Sequence, residues 1–511
     1  MTIPFPERIP LFYAFVFGVM LSVLLIMSGT GAVFAGLAVV FVVTSTLAFN
    51  IAGGLTRPSG SYVFFFAILA VILGLVVKVV IWERVEVLLH SPVTTMGAYT
   101  GAMVAMLAAV YVSRRLSRKE GFLQDICSTE NMGLAAIGCV VGGFGVPFLA
   151  GIAASTGSAL LVPIASAFFQ LNYFLNMAVI LGTTYEIRRS GGRRSANASV
   201  YLATIFIWYS GVFFGFSKQA LFTPPLCWLA SCAALRYRFA FYQVVGVCLV
   251  LLFSSYYLVP FCQYGRGLVE QTATQSTRIT TSIALLTHLG EVREKYRVAQ
   301  GGDARSENDF WFFEKDEGFF DRLTMFGIDD ALITVTDQKG TYGMSPYIFY
   351  VASFVPRIFW KNKPSISMGN VFAHEIGFNE EDTTTGISFT PVAEAYHEAK
   401  WFGVLVVEPI LWIITFVILD SLCGDLRKSP WGILVLAFFA HIAPEGSLQG
   451  LFYMLSYGTL IVLVVAYFSA YVMPLLASLV SPPKRNVIPI GAAPGGRGTA
   501  FANARPAPIK R

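Results

Sequence analysis

The densest chemistry in the chain lies at residues 355–364, VPRIFWKNKP, where Arg357, Lys361 and Lys363 place three cations beside Phe359 and Trp360 and between Pro356 and Pro364. A planar guanidinium grips a phosphate through paired N–H bonds, and lysines add point charges nearby. Rings beside them suit a headgroup belt or the apolar face of a sugar. The same composition also makes a juxtamembrane patch that touches anionic lipid. About thirty residues on, Glu394, His397 and Glu398 fall on one side of a helical turn. They offer proton acceptors for general-base chemistry, or ordinary capping and solvent-facing charge. Glu408 follows about two turns inside an apolar run, where a carboxylate is costly and usually faces a cavity or partner. His441 and Glu445 flank Pro444 at helical i, i+4 spacing. The alternative for these last three is an ion-paired cluster that locks two helices together. Asp329-Asp330 and Glu380-Glu381-Asp382 are acidic runs that recruit a divalent ion or, more ordinarily, lie in solvated loop.

The chain that must position these groups has 511 residues, 55% hydrophobic and only 13% charged, with mean hydropathy +0.65. Soluble domains carry about 25% charged residues, so too little polar surface remains to solvate a chain of this size. The net charge of only +6 argues against a nucleic-acid partner, which would need dense basic patches. Its distribution is uneven. Residues 259–400 hold 13 basic and 19 acidic side chains, a net of −6, and the remainder holds 23 and 11, a net of +12. The seven cysteines form no CxxC pair, metal-finger spacing or disulfide framework. They read as small buried hydrophobes.

A bilayer core takes about 20 apolar residues per helix. Windows of that kind occur near 9–27, 32–51, 62–81, 92–112, 133–153, 159–185, 199–216, 220–235, 239–259, 401–419, 431–445 and 451–479. The first lacks the cleavage site of a signal peptide and carries Glu7 beside Arg8. Every second connection is basic, through Arg57, then Arg114 to Lys119, then Arg188 to Arg194, then Arg236 and Arg238, then Arg427 and Lys428, and the tail. The alternate short connections hold only Arg84 and Lys218, with Lys78 near a helix end where it can snorkel. The positive-inside rule then puts both termini in the cytoplasm.

The expected fold class is all-α, a polytopic integral membrane protein of about twelve transmembrane helices with one large outer (periplasmic) loop between helices nine and ten. Residues 1–258 carry the first nine helices and 259–400 the loop. Residues 401–480 carry the last three helices, and 481–511 form a disordered basic cytoplasmic tail. Within the loop, Ile279, Ile283, Leu286, Leu289, Val292 and Tyr296 follow helical spacing. Residues 308–328, rich in Phe and Trp among acids, suit a helix at the membrane surface. Residues 344–360 are apolar but short for a span.

Pro356-Arg357 leading through Trp360 to Lys363-Pro364, followed by Ser388, Pro391, Glu394, Tyr396 and Gly403, resembles the Wzy-type bacterial oligosaccharide repeat-unit polymerases. The likeness covers roughly residues 347–403; Lys361 and Asn362 stand where members often have proline and an acid. The resemblance implies an enzyme of O-antigen, capsule or exopolysaccharide assembly in the bacterial inner membrane. A growing chain on undecaprenyl diphosphate would pass to a hydroxyl of the next lipid-linked unit. Arg357 would then stabilise the leaving diphosphate with Lys361 and Lys363 assisting, and Glu394 would act as base with His397 second. Trp360 and Tyr396 join the substrate contacts, and Glu408, His441 and Glu445 are added from the membrane cost of their charge. A preactivated donor needs neither metal nor cofactor in principle. Membrane lipids, a chain-length regulator and a flippase are the implied partners. An O-antigen ligase shares donor and topology, a lipid-linked oligosaccharide flippase shares the span count, and a scaffold explains the loop but not Glu408.

Overall fold

The computed structural model describes residues 1–155, 172–269, 275–299, 310–314, 324–355, 360, 368–377 and 386–480. Among them the chain is helical, with a single isolated bridge between Thr2 and Arg238 in place of any sheet. Among the described residues seven helices are long and apolar enough to cross a membrane. In chain order the first helices are α1 (Leu11–Met27), α2 (Ala32–Ala52), α3 (Pro58–Val80), α4 (Pro92–Leu116), α5 (Thr129–Ser155) and α6 (Phe174–Arg189). Then come α7 (Ala198–Phe214), α8 (Lys218–Ala234) and α9 (Phe241–Leu268). Every apolar window read from the sequence coincides with one of these helices or with α15 to α17 below, except that residues 159–171 of the sixth lie outside the described residues.

The core is aromatic. Tyr62 of α3 is packed edge-on by Trp412, Phe416 and Phe439, and its hydroxyl accepts the Trp412 indole N–H at 3.2 Å. By contrast, α9 keeps Phe241, Tyr242, Leu249 and Leu252 exposed, as a helix against lipid does.

The two ends of the bundle differ in chemistry. At one end Arg57 is buried and donates to the carbonyls of Lys119 at 2.6 Å and Arg118 at 3.3 Å. Asp420 accepts the Ser59 N–H and hydroxyl at 2.9 and 2.7 Å, so α3, α4 and α15 are knitted together there. Arg57 therefore works as an internal clasp besides adding charge to that end. At the opposite end Lys78 does not snorkel. It is fully buried, paired with Glu83 at 2.5 Å, with its ammonium 4.9 Å from the Phe312 ring centroid. A cation without water needs such a partner, and the carboxylate lies five residues away.

The segment 275–299 is two helices, α10 (Gln275–Thr287) and α11 (Leu289–Ala299). The described part of the aromatic stretch does not lie at the surface: Phe312 stacks on Phe326 at 5.0 Å, and both are buried with Phe313 in the main core. Three helices follow, α12 (Phe326–Lys339), α13 (Ser345–Ala352) and α14 (Met368–Glu375).

The last three are α15 (Pro391–Cys423), α16 (Pro430–Glu445) and α17 (Ser447–Val480). Thr390 caps α15 by accepting the Ala393 N–H at 3.2 Å, with Pro391 in the first turn where its missing N–H costs nothing. The helix then breaks. Ala399 and Lys400 leave helical geometry, Lys400 at φ 47°, and the chain turns back. A backbone so strained costs about 1–3 kcal/mol and persists only where packing over-determines it. Here Gly403 closes on the Ala395 carbonyl so tightly that a Cβ would overlap it. The carbonyls of His397 and Glu398, freed by the break, accept N–H bonds from Tyr342 at 2.9 Å and Gly343 at 3.2 Å. Beyond the break a π-helical turn, Gly403–Val407, leads directly into Glu408. Gly403→Ala is expected to cost about 3 kcal/mol and to lower the melting temperature of detergent-solubilised protein by several degrees. Gly36→Ala, with open space around it, is the control. A Gly403→Ala protein that melts with wild type would remove the fold-back.

Candidate functional site

The break in α15 gathers carboxylates at the end of the bundle opposite Arg57. Glu394 and Glu398 lie one turn apart on its first arm, and both reach the Tyr350 hydroxyl of α13, at 3.4 and 3.2 Å. Glu394 Oε2 also accepts the Leu448 N–H at 2.8 Å, tying the arm to the start of α17. Phe389 O accepts the Ser447 N–H at 3.1 Å in support. Glu408, fully buried, lies within electrostatic reach of Glu394. Tyr347 faces the Glu398 carboxylate without a well-formed hydrogen bond. Burial and the neighbouring glutamates raise the ionisation of Tyr350 and Tyr347 well above the usual phenol range, so both remain hydrogen-bond donors.

Three of these oxygens are orphans. Glu398 Oε2 and both oxygens of Glu408 are buried without a hydrogen-bond partner among the described residues, and no ion pair among those residues involves Glu394, Glu398 or Glu408. Buried polar atoms are almost always satisfied in folded proteins. An exception of this kind calls for an explanation, and a reactive role is one.

His397 points into a different environment. Its Nδ1 bonds the Thr336 hydroxyl at 2.8 Å, its ring packs on Phe372 and Tyr342, and its buried Nε2 has no partner among the described residues. The sequence expectation put Glu394, His397 and Glu398 on one face; the structure pairs the glutamates, i and i+4, and turns the histidine towards α12 and α14. Tyr396 is buried and donates to Asp337 at 2.9 Å. His441 and Glu445 share a face despite Pro444, 2.7 Å apart and half exposed, as a local pair. Trp360 is exposed. Arg357, Lys361 and Lys363 lie outside the described residues, as do Glu380, Glu381 and Asp382.

Asp329 and Asp330 are where sequence reasoning missed most. They are not solvated loop. Both are buried in α12 and face different neighbours. Asp329 accepts the Thr390 N–H at 3.1 Å, its hydroxyl at 2.6 Å and the Tyr99 hydroxyl of α4. Asp330 accepts the N–H groups of His90 at 2.6 Å and Ser91 at 3.1 Å and the Thr95 hydroxyl at 2.7 Å, capping α4 from another helix. The pair clasps α4 to the arm that carries Glu394 and Glu398. The signal available was Phe326, Ile328, Leu332 and Ile333 around the acids, which marks a buried helix rather than a loop. Among the described residues no three His, Cys, Asp or Glu side chains converge as a metal set.

Burial pushes the Asp329 carboxyl up to about 6, restrained by the bonds from Thr390 and Tyr99. Because the folded form holds its proton more tightly than the unfolded chain, this group favours folding most at low pH. That contribution is lost as pH rises through about 6. Asp329→Asn removes it. The melting deficit of Asp329→Asn relative to wild type is therefore expected to be larger at pH 5 than at pH 7, by on the order of 1 kcal/mol. Parallel melting curves across that range would refute the assignment.

Comparison with protein-family models, with curated proteins and with solved structures finds no match to the chain. The functional argument therefore rests on the residues themselves.

Proposed function

We propose that this protein polymerises undecaprenyl-diphosphate-linked oligosaccharide repeat units into O-antigen, capsule or exopolysaccharide at the outer face of a bacterial inner membrane. The observation that carries the reading is the cluster Glu394, Glu398 and Glu408, buried with orphan oxygens in the segment that follows the cations Arg357, Lys361 and Lys363. A glycosyl transfer with a diphosphate leaving group needs those two things, a proton acceptor and concentrated positive charge.

In this reading the acceptor hydroxyl oxygen bonds to the anomeric carbon of the growing chain. The bond from that carbon to the diphosphate oxygen breaks, and its electron pair leaves with undecaprenyl diphosphate. Arg357 takes up the charge of the leaving group, with Lys361 and Lys363 beside it. The hydroxyl proton passes to Glu398, whose Oε2 is uncommitted, while Glu394 is held by Leu448 and serves to position the arm. This moves the base from Glu394, the first choice that the resemblance implied, to its neighbour one turn on. His397 remains a second acceptor through Nε2.

In this reading the chain crosses the membrane twelve times, with residues 259–400 as the outer loop between the ninth and tenth spans and both termini cytoplasmic. Support comes from the gathering of Arg57, Arg114, Arg118, Lys119 and Arg427 at the end away from the carboxylates, which the positive-inside rule makes cytoplasmic. A chain-length regulator and a flippase are the partners this function needs.

The deciding experiment incubates purified protein in nanodiscs with a lipid-linked repeat unit, with and without chelator. A ladder of extended chains is the expected product. Transfer only to added lipid A core would make the protein a ligase, and translocation of the unit without extension would make it a flippase.

A further inference from the structure

Glu398 meets two tyrosines of α13 and holds only one of them. Tyr347 and Tyr350 lie three residues apart, so both rings project from one side of that short helix. Their centroids are 5.8 Å apart, and both rings pack on Phe452 of α17. The Tyr350 hydroxyl donates to Glu398 Oε1 at 3.2 Å. The Tyr347 hydroxyl also lies near enough to that carboxyl for the two to interact electrostatically. It nevertheless makes no well-formed hydrogen bond to the carboxyl or to any other described residue, and Glu398 Oε2 is likewise buried and unbonded among those residues. A donor and an acceptor on neighbouring side chains, both out of water, are thus uncommitted together. A direct bond between them would have satisfied both, and buried polar groups are seldom left without one.

We propose that the Tyr347 hydroxyl and Glu398 Oε2 form the seat of a hydroxyl group, which accepts from Tyr347 and donates to Glu398. Water takes the seat in the resting protein, and the attacking hydroxyl of the acceptor sugar takes it in turnover. The ligand follows from the two uncommitted atoms: one oxygen must accept a hydrogen bond and donate another. A carbonyl oxygen cannot donate, an ammonium cannot accept, and a phosphate oxygen is repelled by the glutamate. Hydroxyls and water do both. The Tyr347 ring is half-buried although its hydroxyl is covered, so the seat lies close beneath an exposed ring edge. The identity of the sugar hydroxyl rests on the glycosyl-transfer reading, which this inference deepens. In that reaction the hydroxyl oxygen bonds to the anomeric carbon through the lone pair that Tyr347 does not hold. Its proton passes to Glu398 Oε2, and the electron pair of the broken carbon–oxygen bond leaves with the diphosphate. Tyr347 thereby fixes the direction from which the oxygen attacks and is a catalytic residue beside Glu398.

Two measurements test the seat. Cryo-electron microscopy of the full-length protein in nanodiscs, without substrate, is expected to show one water within hydrogen-bond distance of both atoms. A direct bond between Tyr347 and Glu398 in that map would overturn the proposal. Tyr347→Phe is then compared with wild type in extending a lipid-linked repeat unit. KM for the unit should rise by about five- to tenfold, the worth of one hydrogen bond, with kcat changed by less than about threefold. The melting temperature should not fall, because no described residue bonds to that hydroxyl; a structural role would move it. Combined with Glu398→Gln, the loss in kcat/KM should be smaller than the product of the two single losses, since both side chains act on one hydroxyl. A Tyr347→Phe protein with wild-type KM, or one whose activity falls in step with its melting temperature, would overturn the proposal and leave the water a structural one. Absence of extension by wild type would instead remove the glycosyl-transfer reading and with it the sugar hydroxyl, while the water in the map would still show the seat.

Discussion

Glu398→Gln is expected to lower the rate of chain extension by about 10²–10⁴-fold, with the protein still folded and in the membrane. Glutamine keeps the size of the side chain and can still accept the Tyr350 hydroxyl through its carbonyl oxygen, so the arm of α15 should hold its place. What is lost is the ability to take a proton from the attacking hydroxyl. The loss should therefore appear in kcat rather than KM, because binding contacts are kept while the transition state loses its acceptor. Tyr350→Phe is the companion. It removes a donor that both Glu394 and Glu398 use, and it should shift the pH profile of extension with a smaller fall in rate. Glu394→Gln should act differently, because Glu394 Oε2 holds the Leu448 N–H; its cost should appear first in thermal stability. An inactive Glu394→Gln protein beside an active Glu398→Gln protein would return the base to Glu394. Wild-type rates for both would sink the glycosyl-transfer site at this cluster.

Arg357→Ala is expected to reduce long-chain polysaccharide by about 10²–10³-fold, leaving single repeat units displayed on the acceptor. A leaving diphosphate gathers negative charge as its bond to the sugar breaks, and a guanidinium placed for that moment stabilises the transition state more than the ground state. Arg357→Lys should recover only part of the activity, since an ammonium is a point charge without the planar fork. Lys361→Ala and Lys363→Ala should each cost less than Arg357→Ala, because either lysine leaves two cations in place. Polysaccharide length on gels, with the membrane level of the protein as control, reads the result. Normal chain length in Arg357→Ala cells would remove these cations from the mechanism.

Much of the scaffold was legible from composition. Each apolar window could be read alone because a spanning helix satisfies its own backbone and meets lipid or other apolar side chains whichever neighbour it finds. The start of α15 at Thr390-Pro391 follows the same local logic, a hydroxyl cap ahead of a proline. Charge was harder to read. Lys78 looked like a snorkelling residue and is instead buried against Glu83 and Phe312. Asp329 and Asp330 looked solvated and are buried because Thr390 and Tyr99, and His90, Ser91 and Thr95, bring them donors. Those partners are 61 and 230 residues away for Asp329 and 235 to 240 away for Asp330, beyond the reach of any periodicity.

By itself, then, the sequence determined that this is an apolar helical chain with its charge divided between two regions; it offered Glu394, His397 and Glu398 as proton acceptors and, separately, Glu408 with His441 and Glu445 from the cost of charge in a membrane. Only the tertiary structure decided that Glu394, Glu398 and Glu408 share one buried place. Spacing on a straight helix would carry Glu408 more than three turns past Glu394. The break at Ala399 and Lys400, held by the close approach of Gly403 to Ala395, folds α15 back on itself. That reversal depends on packing and on N–H groups lent by Tyr342 and Gly343, long-range contacts that no local pattern encodes.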